Sequence, residues 1–292
     1  MGKSSVSEMI NRIKWCLIGI PDHQGVMNVG GRVGAAAGPA AFRRIFQKFK
    51  GRDGVLEALV ADRDLTDIGP EVTENHRKAA LLIAQSHTAH PLSVVVGGGH
   101  DHGHSQLLGL RQALGPGVRL GCINVDAHLD VRKPSPLISS GSPFYLAITE
   151  RVLDPEDFIE FGIQPHCNAP ELWDFIDANG IQVIAMKDLR HGRAASAFQA
   201  ALTALSSRCD FVVVSLDLDA AASAYAPGVS APQSEGFSGS DFLGMMTLAG
   251  QNPKVISLGI FELNPEHDID DRTARLAATS AYHFLAAALK RT

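Results

Sequence analysis

Three histidines and an aspartate stand within five residues at 100–104 (HDHGH), directly behind an apolar run and three glycines, SVVVGGG at 93–99. Imidazole and carboxylate at this density bind metals or move protons. Two further apolar runs end in similar chemistry. RLGCINV (119–125) passes into DAHLD, with Asp126, His128 and Asp130 two residues apart, and FVVVSL (211–216) passes into DLD, with Asp217 and Asp219 two apart. In extended chain, residues two apart project to the same side, so each motif offers a row of ligands to one place. His100 arrives in the same way behind 93–96. Four carboxylates (Asp126, Asp130, Asp217, Asp219) and two imidazoles (His100, His128) exceed the three or four ligands of a mononuclear zinc site, and are richer in oxygen. They suit a pair of Mn2+ ions bridged by one or two carboxylates, which acidify a shared water to hydroxide near neutral pH. Glycines 97–99 are then expected to let the backbone turn sharply and approach the metals.

Other readings of the same letters are weaker. An isolated Asp or His at a strand end is usually a cap or loop residue, but three such motifs with matching polarity argue for one shared site. The H-D-x-x-H spacing, with His100 and His104 bracketing Asp101, is close to the H-E-x-x-H of metalloproteases. That motif needs both histidines inside one helix, whereas His100 follows a strand and three glycines. His102 and His104 are read as lying behind the site or in its loop, and His23, His166, His191 and His267 as loop or surface residues.

The elements that must position these residues alternate short β-rich runs with longer helical patterns, the mark of βαβ units and a parallel sheet. Strands are expected at 15–20, 93–96, 119–125, 157–163, 182–186, 211–218 and 254–263, several apolar almost throughout, as strands buried on both faces should be. Helices are expected at 39–49, 76–89, 105–115, 169–180, 194–208, 239–251 and 272–289, where apolar residues recur at three and four spacing. Pro39 after Gly38 fits a helical first turn. The irregular segments 25–38 and 220–239, rich in Gly or in Ala, Ser and Pro, read as functional loops. With no repeat and no shift of composition, residues 1–292 read as a single domain. In an open parallel sheet the strand ends carrying the three motifs share one edge, where such folds bind ligands.

Composition limits the partners. Hydrophobic residues make up 45 % and charged residues 20 % of 292, with a net charge of -5 and mixed signs along the chain. This describes a globular protein with no nucleic-acid or polybasic membrane surface, and it leaves small, including anionic, ligands open. Cys16, Cys122, Cys167 and Cys209 form no C-x-x-C pair and read as reduced thiols. The N-terminal stretch MGKSSVSEMINRIKW lacks the apolar core of a signal peptide and, with Val6 where Ser or Thr is needed, the myristoylation pattern. No apolar run reaches the length of a membrane span. The expected location is the cytoplasm.

GGGH, DAHLD and SLDLD together resemble the three metal motifs of the ureohydrolase superfamily of arginase, agmatinase and formimidoylglutamase. The resemblance extends to GGRVGAAAGPAAFRR (30–44) and FELNPEHDIDDRTARLAA (261–278), and so spans nearly the whole chain. It implies a three-layer α/β/α fold around a mainly parallel sheet, two Mn2+ per subunit, hydrolysis of a guanidino or formimino C–N bond, and a homotrimer or homohexamer. GGGH in place of GGDH, Arg132 within DAHLDVR, and the segments SSGSPF, APGVSAP and ELNP are most like formimidoylglutamase. Arginases and agmatinases carry a proton-shuttling His where this sequence has Ser140, and a hydroxyl cannot serve as a proton reservoir near pH 7.

The resemblance also implies roles. Hydroxide attacks the formimino carbon of N-formimino-L-glutamate, leaving L-glutamate and formamide. Asp130 carries the proton to the leaving nitrogen, and Glu262 holds the cationic amidine. Arg132 is placed for a bidentate contact with a substrate carboxylate. Ser139, Ser140, Ser142 and Asn168 are further candidates for binding the amino-acid end, and Asp268, Asp270, Arg272 and Arg275 for fixing the last turn or a subunit contact. Hydrolysis of another guanidino or amidino compound, and a non-catalytic metal-binding protein, are the alternatives.

Overall fold

The computed structural model describes residues 13–291. Most of the N-terminal stretch that the sequence reads as free of a leader or acyl signal, residues 1–12, lies outside the described residues. Eight strands, β1 (Trp15–Gly19), β2 (Leu59–Asp64), β3 (Leu92–Val96), β4 (Leu120–Val125), β5 (Phe158–Ile163), β6 (Gln182–Ala185), β7 (Phe211–Asp217) and β8 (Val255–Phe261), form one sheet in the order β2-β1-β3-β8-β7-β4-β5-β6. Every pairing is parallel. The helices are α1 (Gln24–Asn28), α2 (Gly38–Phe46), α3 (Val72–Ala89), α4 (His102–Leu114), α5 (Pro143–Thr149), α6 (Pro170–Asn179), α7 (Met186–Leu189), α8 (Ala194–Arg208), α9 (Gly239–Gln251) and α10 (Arg272–Ala288).

Alternation along the strands divides the apolar side chains between two cores. Trp15 and Leu17 of β1 join Phe42, Phe198, Phe242 and Phe284 from α2, α8, α9 and α10 on one face. Cys16 and Ile18 join Ile83, Leu107, Phe144 and Ile176 from α3, α4, α5 and α6 on the other. The result is a three-layer α/β/α arrangement whose central strands are buried on both sides, which explains their nearly continuous apolar sequences.

The strand missed by sequence reasoning is β2. LVADRD ends in charged residues and its residues are mostly exposed, because it is an edge strand with little apolar signal to give. Arg43 of α2 pins it, with ion pairs of 2.6 Å to Asp62 and 2.8 Å to Asp64. The sequence pattern also gives no sign of the short helices α1, α5 and α7; α1 overlaps the start of the glycine-rich 25–38 segment. Asp268 caps α10, accepting from Thr273 N and Ala274 N at 2.9 and 3.0 Å. No helix is long and apolar enough to cross a membrane among the described residues.

The core makes one firm demand. Phe161, fully buried on β5, packs at 5.4 Å edge-on to Phe198 and 5.8 Å stacked on Phe237. Phe161→Ala should lower stability by about 3–5 kcal/mol in urea unfolding, whereas a loss below about 1 kcal/mol would contradict this packing.

Candidate metal centre

The four innermost strands, β3, β8, β7 and β4, are neighbours in the sheet and end at one edge. His100 follows β3, Glu262 follows β8, Asp217 closes β7 with Asp219 just beyond, and Asp126, His128 and Asp130 follow β4. Two of these positions carry backbone strain: Asp130 and Glu262 have φ of 48° and 65°, a left-handed conformation that non-glycine residues adopt at a cost. Each side chain lines the cleft that opens onto the site. The glycines before His100 are also crowded by protein. A Cβ at Gly98 would lie 1.6 Å from Asp22 O, so the turn is glycine because it presses against the chain leaving β1.

His100 Nδ1 lies 3.1 Å from Asp126 Oδ2, 3.1 Å from Asp130 Oδ2 and 3.0 Å from Asp217 Oδ2, yet has a hydrogen-bond geometry with none of them. Its other nitrogen, Nε2, is 2.8 Å from Ser215 Oγ. Donation from Nε2–H to that hydroxyl turns the lone pair of Nδ1 toward the three carboxylates. A second group forms around the other oxygen of Asp126: His128 Nδ1 is 3.4 Å from Asp126 Oδ1 and 3.1 Å from Asp219 Oδ2. The ligand atoms within each group all lie within 4.8 Å of one another. Asp126 thus belongs to both groups, one oxygen to each, as a carboxylate bridging two cations would. Main-chain amides fix these carboxylates: His128 N donates to Asp126 Oδ1 at 2.7 Å and Asp219 N to Asp217 Oδ1 at 2.8 Å.

The charge balance asks for cations. Burial, then the charge on Asp126, pushes the Asp130 carboxyl up to about 6, and the same two causes raise Asp217. Burial and the Asp217 charge hold Asp219 and Glu262 well above the ordinary carboxylate range. Asp126 moves the other way: burial opposes its ionisation, but His100 and His128 outweigh it. Burial would lower His100, and the surrounding carboxylates raise it well above its usual value. Asp219 Oδ1 and Glu262 Oε2 are buried with no hydrogen-bond partner. Oxygen-rich donors with imidazole, arranged in two groups about one carboxylate, fit two divalent cations such as Mn2+.

A cleft of about 200 Å³ opens onto this cage, lined by His100, His128, Asp130, Asp217, Asp219 and Glu262. Arg132, Ser140 and Gly141, with Val29 to Gly31, Ser230 and Ala231, complete its lining. The two irregular segments therefore border the site, although neither supplied a residue to the sequence-based list. Arg132 makes no side-chain ion pair among the described residues. Asn168, Ser139 and Ser142 sit elsewhere. The Asn168 amide is taken up by main chain, accepting from Leu129 N at 2.8 Å and donating to Ala127 O and Gln164 O at 3.1 and 2.9 Å. It braces the DAHLD turn and does not line the cleft. Ser142 and Ser139 are buried and bond to each other, Oγ to Oγ at 3.2 Å. His102 and His104 lie in the first turn of α4, buried, and neither lines the cleft. The contribution of Ser215 was legible in principle, since it stands two residues before Asp217 on the same strand face.

Comparison with known proteins agrees with this geometry. The Arginase family model matches residues 13–287. This chain belongs to the arginase family. A formimidoylglutamase of Staphylococcus carnosus is 31 % identical over 275 residues, covering 92 % of this chain and 85 % of the relative. One from Streptococcus pyogenes is 33 % identical over 282 residues, covering 93 % and 84 %. The crystal structure of a Trypanosoma cruzi formiminoglutamase with Mn2+ superposes with a TM-score of 0.88 at 28 % identity, covering 99 % of this chain and 97 % of that one. Within the arginase family frame, the shared Asp126 and the Ser215 contact each carry a measurable weight. Ser215→Ala, which frees the His100 ring, should weaken divalent-cation binding by about 10–100-fold in a calorimetric titration; unchanged affinity would show that the hydroxyl does not orient the ring.

Proposed function

We propose that this chain is a single catalytic domain that binds two Mn2+ and hydrolyses N-formimino-L-glutamate to L-glutamate and formamide. The observation that carries the reading is the pairing of opposite charges across one small cleft: an unpaired guanidinium, Arg132, on its wall and an unpartnered carboxylate oxygen, Glu262 Oε2, at its floor. A formimino amino acid has the complementary pattern, a cationic amidine at one end and carboxylates at the other. The formimidoylglutamase relatives and the Mn2+-containing structural neighbour support the same substrate and metal.

His100, Asp126, Asp130 and Asp217 would hold one ion, and His128 and Asp219 the other with Asp126 between them. Bound there, the pair supplies Lewis acidity and brings a shared water's pKa toward neutrality. Glu262 Oε1 accepts from His100 N at 2.9 Å, so the carboxylate is oriented before substrate arrives and Oε2 is left to pair with the amidine. Arg132 engages a substrate carboxylate, and the Ser140 hydroxyl bonds the same end. Asp130, at the cleft side of the cage, takes the proton released as the new C–O bond forms. It delivers that proton to the glutamate nitrogen as the C–N bond breaks. The formimino carbon leaves as formamide.

The homo-oligomeric state, a trimer or hexamer, and a cytoplasmic location are part of the same proposal; the four cysteines are all free, consistent with a reducing compartment.

Purified chain loaded with Mn2+ should release formamide and glutamate in equal amounts from formiminoglutamate. Turnover of arginine, agmatine or a guanidino acid, with no formamide released, would overturn the assignment. Two variants separate the roles. Arg132→Gln should raise KM by about 10–100-fold through loss of a charge-assisted contact. Glu262→Gln should lower kcat/KM by on the order of 10²-fold or more, since it removes one partner of a buried charge pair. Equal and small effects in both would place the substrate's charged groups elsewhere.

A further inference from the structure

Directly after His100 the chain buries a second set of ionisable side chains that the reaction does not use. Asp101 is 1 % exposed, and its Oδ2 lies 2.7 Å from His76 Nε2, in the first half of α3. His102 Nε2 is 3.9 Å from the same oxygen and 3.1 Å from Asp22 Oδ2, just beyond β1. Asn75 Nδ2 donates to that Asp22 oxygen at 2.9 Å. None of these residues lines the cleft. Asp101 stands immediately before α4, where an aspartate would ordinarily cap the helix, yet its carboxylate makes no capping bond. The carboxylate is committed to His76.

Two glycines make room for it. A Cβ at Gly25 would lie 2.2 Å from Asp101 Oδ1, and one at Gly99 would lie 2.4 Å from the same atom. Gly25 belongs to α1, and Gly25 O accepts from Ser140 N at 3.0 Å, while Val29 to Gly31 beyond it wall the cleft. The Asp101 carboxylate is therefore wedged between α3, α1 and the glycine turn. Main-chain bonds tie the turn to its neighbours, Gly97 N to Ile260 O at 2.9 Å and Gly99 N to Asp22 O at 3.0 Å, but side chains set the orientation of His100 beyond it: Glu262 Oε1 on its amide from one side, and the Asp101 carboxylate packed against Gly99 from the other.

We propose that Asp101, held by His76, is a positioning residue that fixes the glycine turn so that His100 Nδ1 meets Asp126, Asp130 and Asp217. The proposal rests on the binuclear reading above. It makes a selective claim, because His128 and Asp219 reach the cage from β4 and β7 and owe nothing to this brace. Loss of Asp101 weakens one cation position and spares the other.

The test is a calorimetric Mn2+ titration of the full chain after chelator treatment, comparing the wild type with Asp101→Ala, the near-isosteric Asp101→Asn, and Asp101→Ala combined with His76→Ala. Melting by circular dichroism checks folding, and Asp101→Asn preserves the shape of the wedge if the alanine variant does not fold. In the wild type two equivalents bind. In the single variants one equivalent should weaken by about 10–100-fold, as for other residues that orient a metal ligand, while the second is unchanged. Adding His76→Ala should weaken it no further, because the two residues act as one unit. Equal weakening of both equivalents, or of neither, overturns the role of Asp101. So does a third wild-type equivalent that disappears in the variants, which would make His76, Asp101 and His102 ligands in their own right. A wild type that binds one equivalent or none would overturn the binuclear reading, and this proposal with it.

Discussion

Four carboxylates and two imidazoles share one buried cage, and the carboxylates repel. Two unit charges about 4 Å apart in a partly buried setting oppose each other by about 4 kcal/mol, more than most single contacts contribute to a fold. Such a cluster persists only if a rigid scaffold imposes it and cations repay it. The sheet provides the scaffold. Its order sets β3, β8, β7 and β4 side by side, so four strand ends discharge their acidic and histidine residues into one spot. Two apolar cores clamp these strands from both faces, and main-chain amides fix the carboxylates against turning away.

The strain at Asp130 and Glu262 belongs to the same constraint. Both residues stand at the border between cage and cleft, and both bend into a conformation that the chain would not choose locally. The tightly packed core holds them there. Specificity is then a matter of the wall. The cage is anionic and would attract any cationic amidine or guanidine; under the proposed function, Arg132 on the cleft lining would select for substrates that carry a negative charge at the far end.

Much of this was legible in the sequence, for physical reasons. Central strands buried on both faces must be apolar, so six of them announce themselves, as does the short apolar run of edge strand β6, and ligands directly behind the central strands fall at one edge by the geometry of a parallel sheet. Edge strand β2 was hidden because half-exposed charged residues carry no such pattern. Asn168 could not be placed from sequence, because an amide looks the same whether it faces a cleft or straps a turn; its three main-chain partners are visible only in the fold. Ser142 was likewise lost to a buried partner. The histidines at 102 and 104 look like ligands by composition, but the helix that begins at His102 turns them away from the cage into contacts with Asp22 and Glu150. The glycines 97–99 stood out in the sequence, and the structure adds what crowds them: Phe261 against Gly97, the Asp22 carbonyl against Gly98 and Asp101 against Gly99.

The account stands or falls on two cations sharing Asp126. Crystals soaked in Mn2+ and measured near the manganese absorption edge would locate them directly. The account predicts two anomalous peaks per chain, roughly 3.5–4 Å apart, with one Asp126 oxygen on each. A single peak, or a second one away from Asp126, would contradict it.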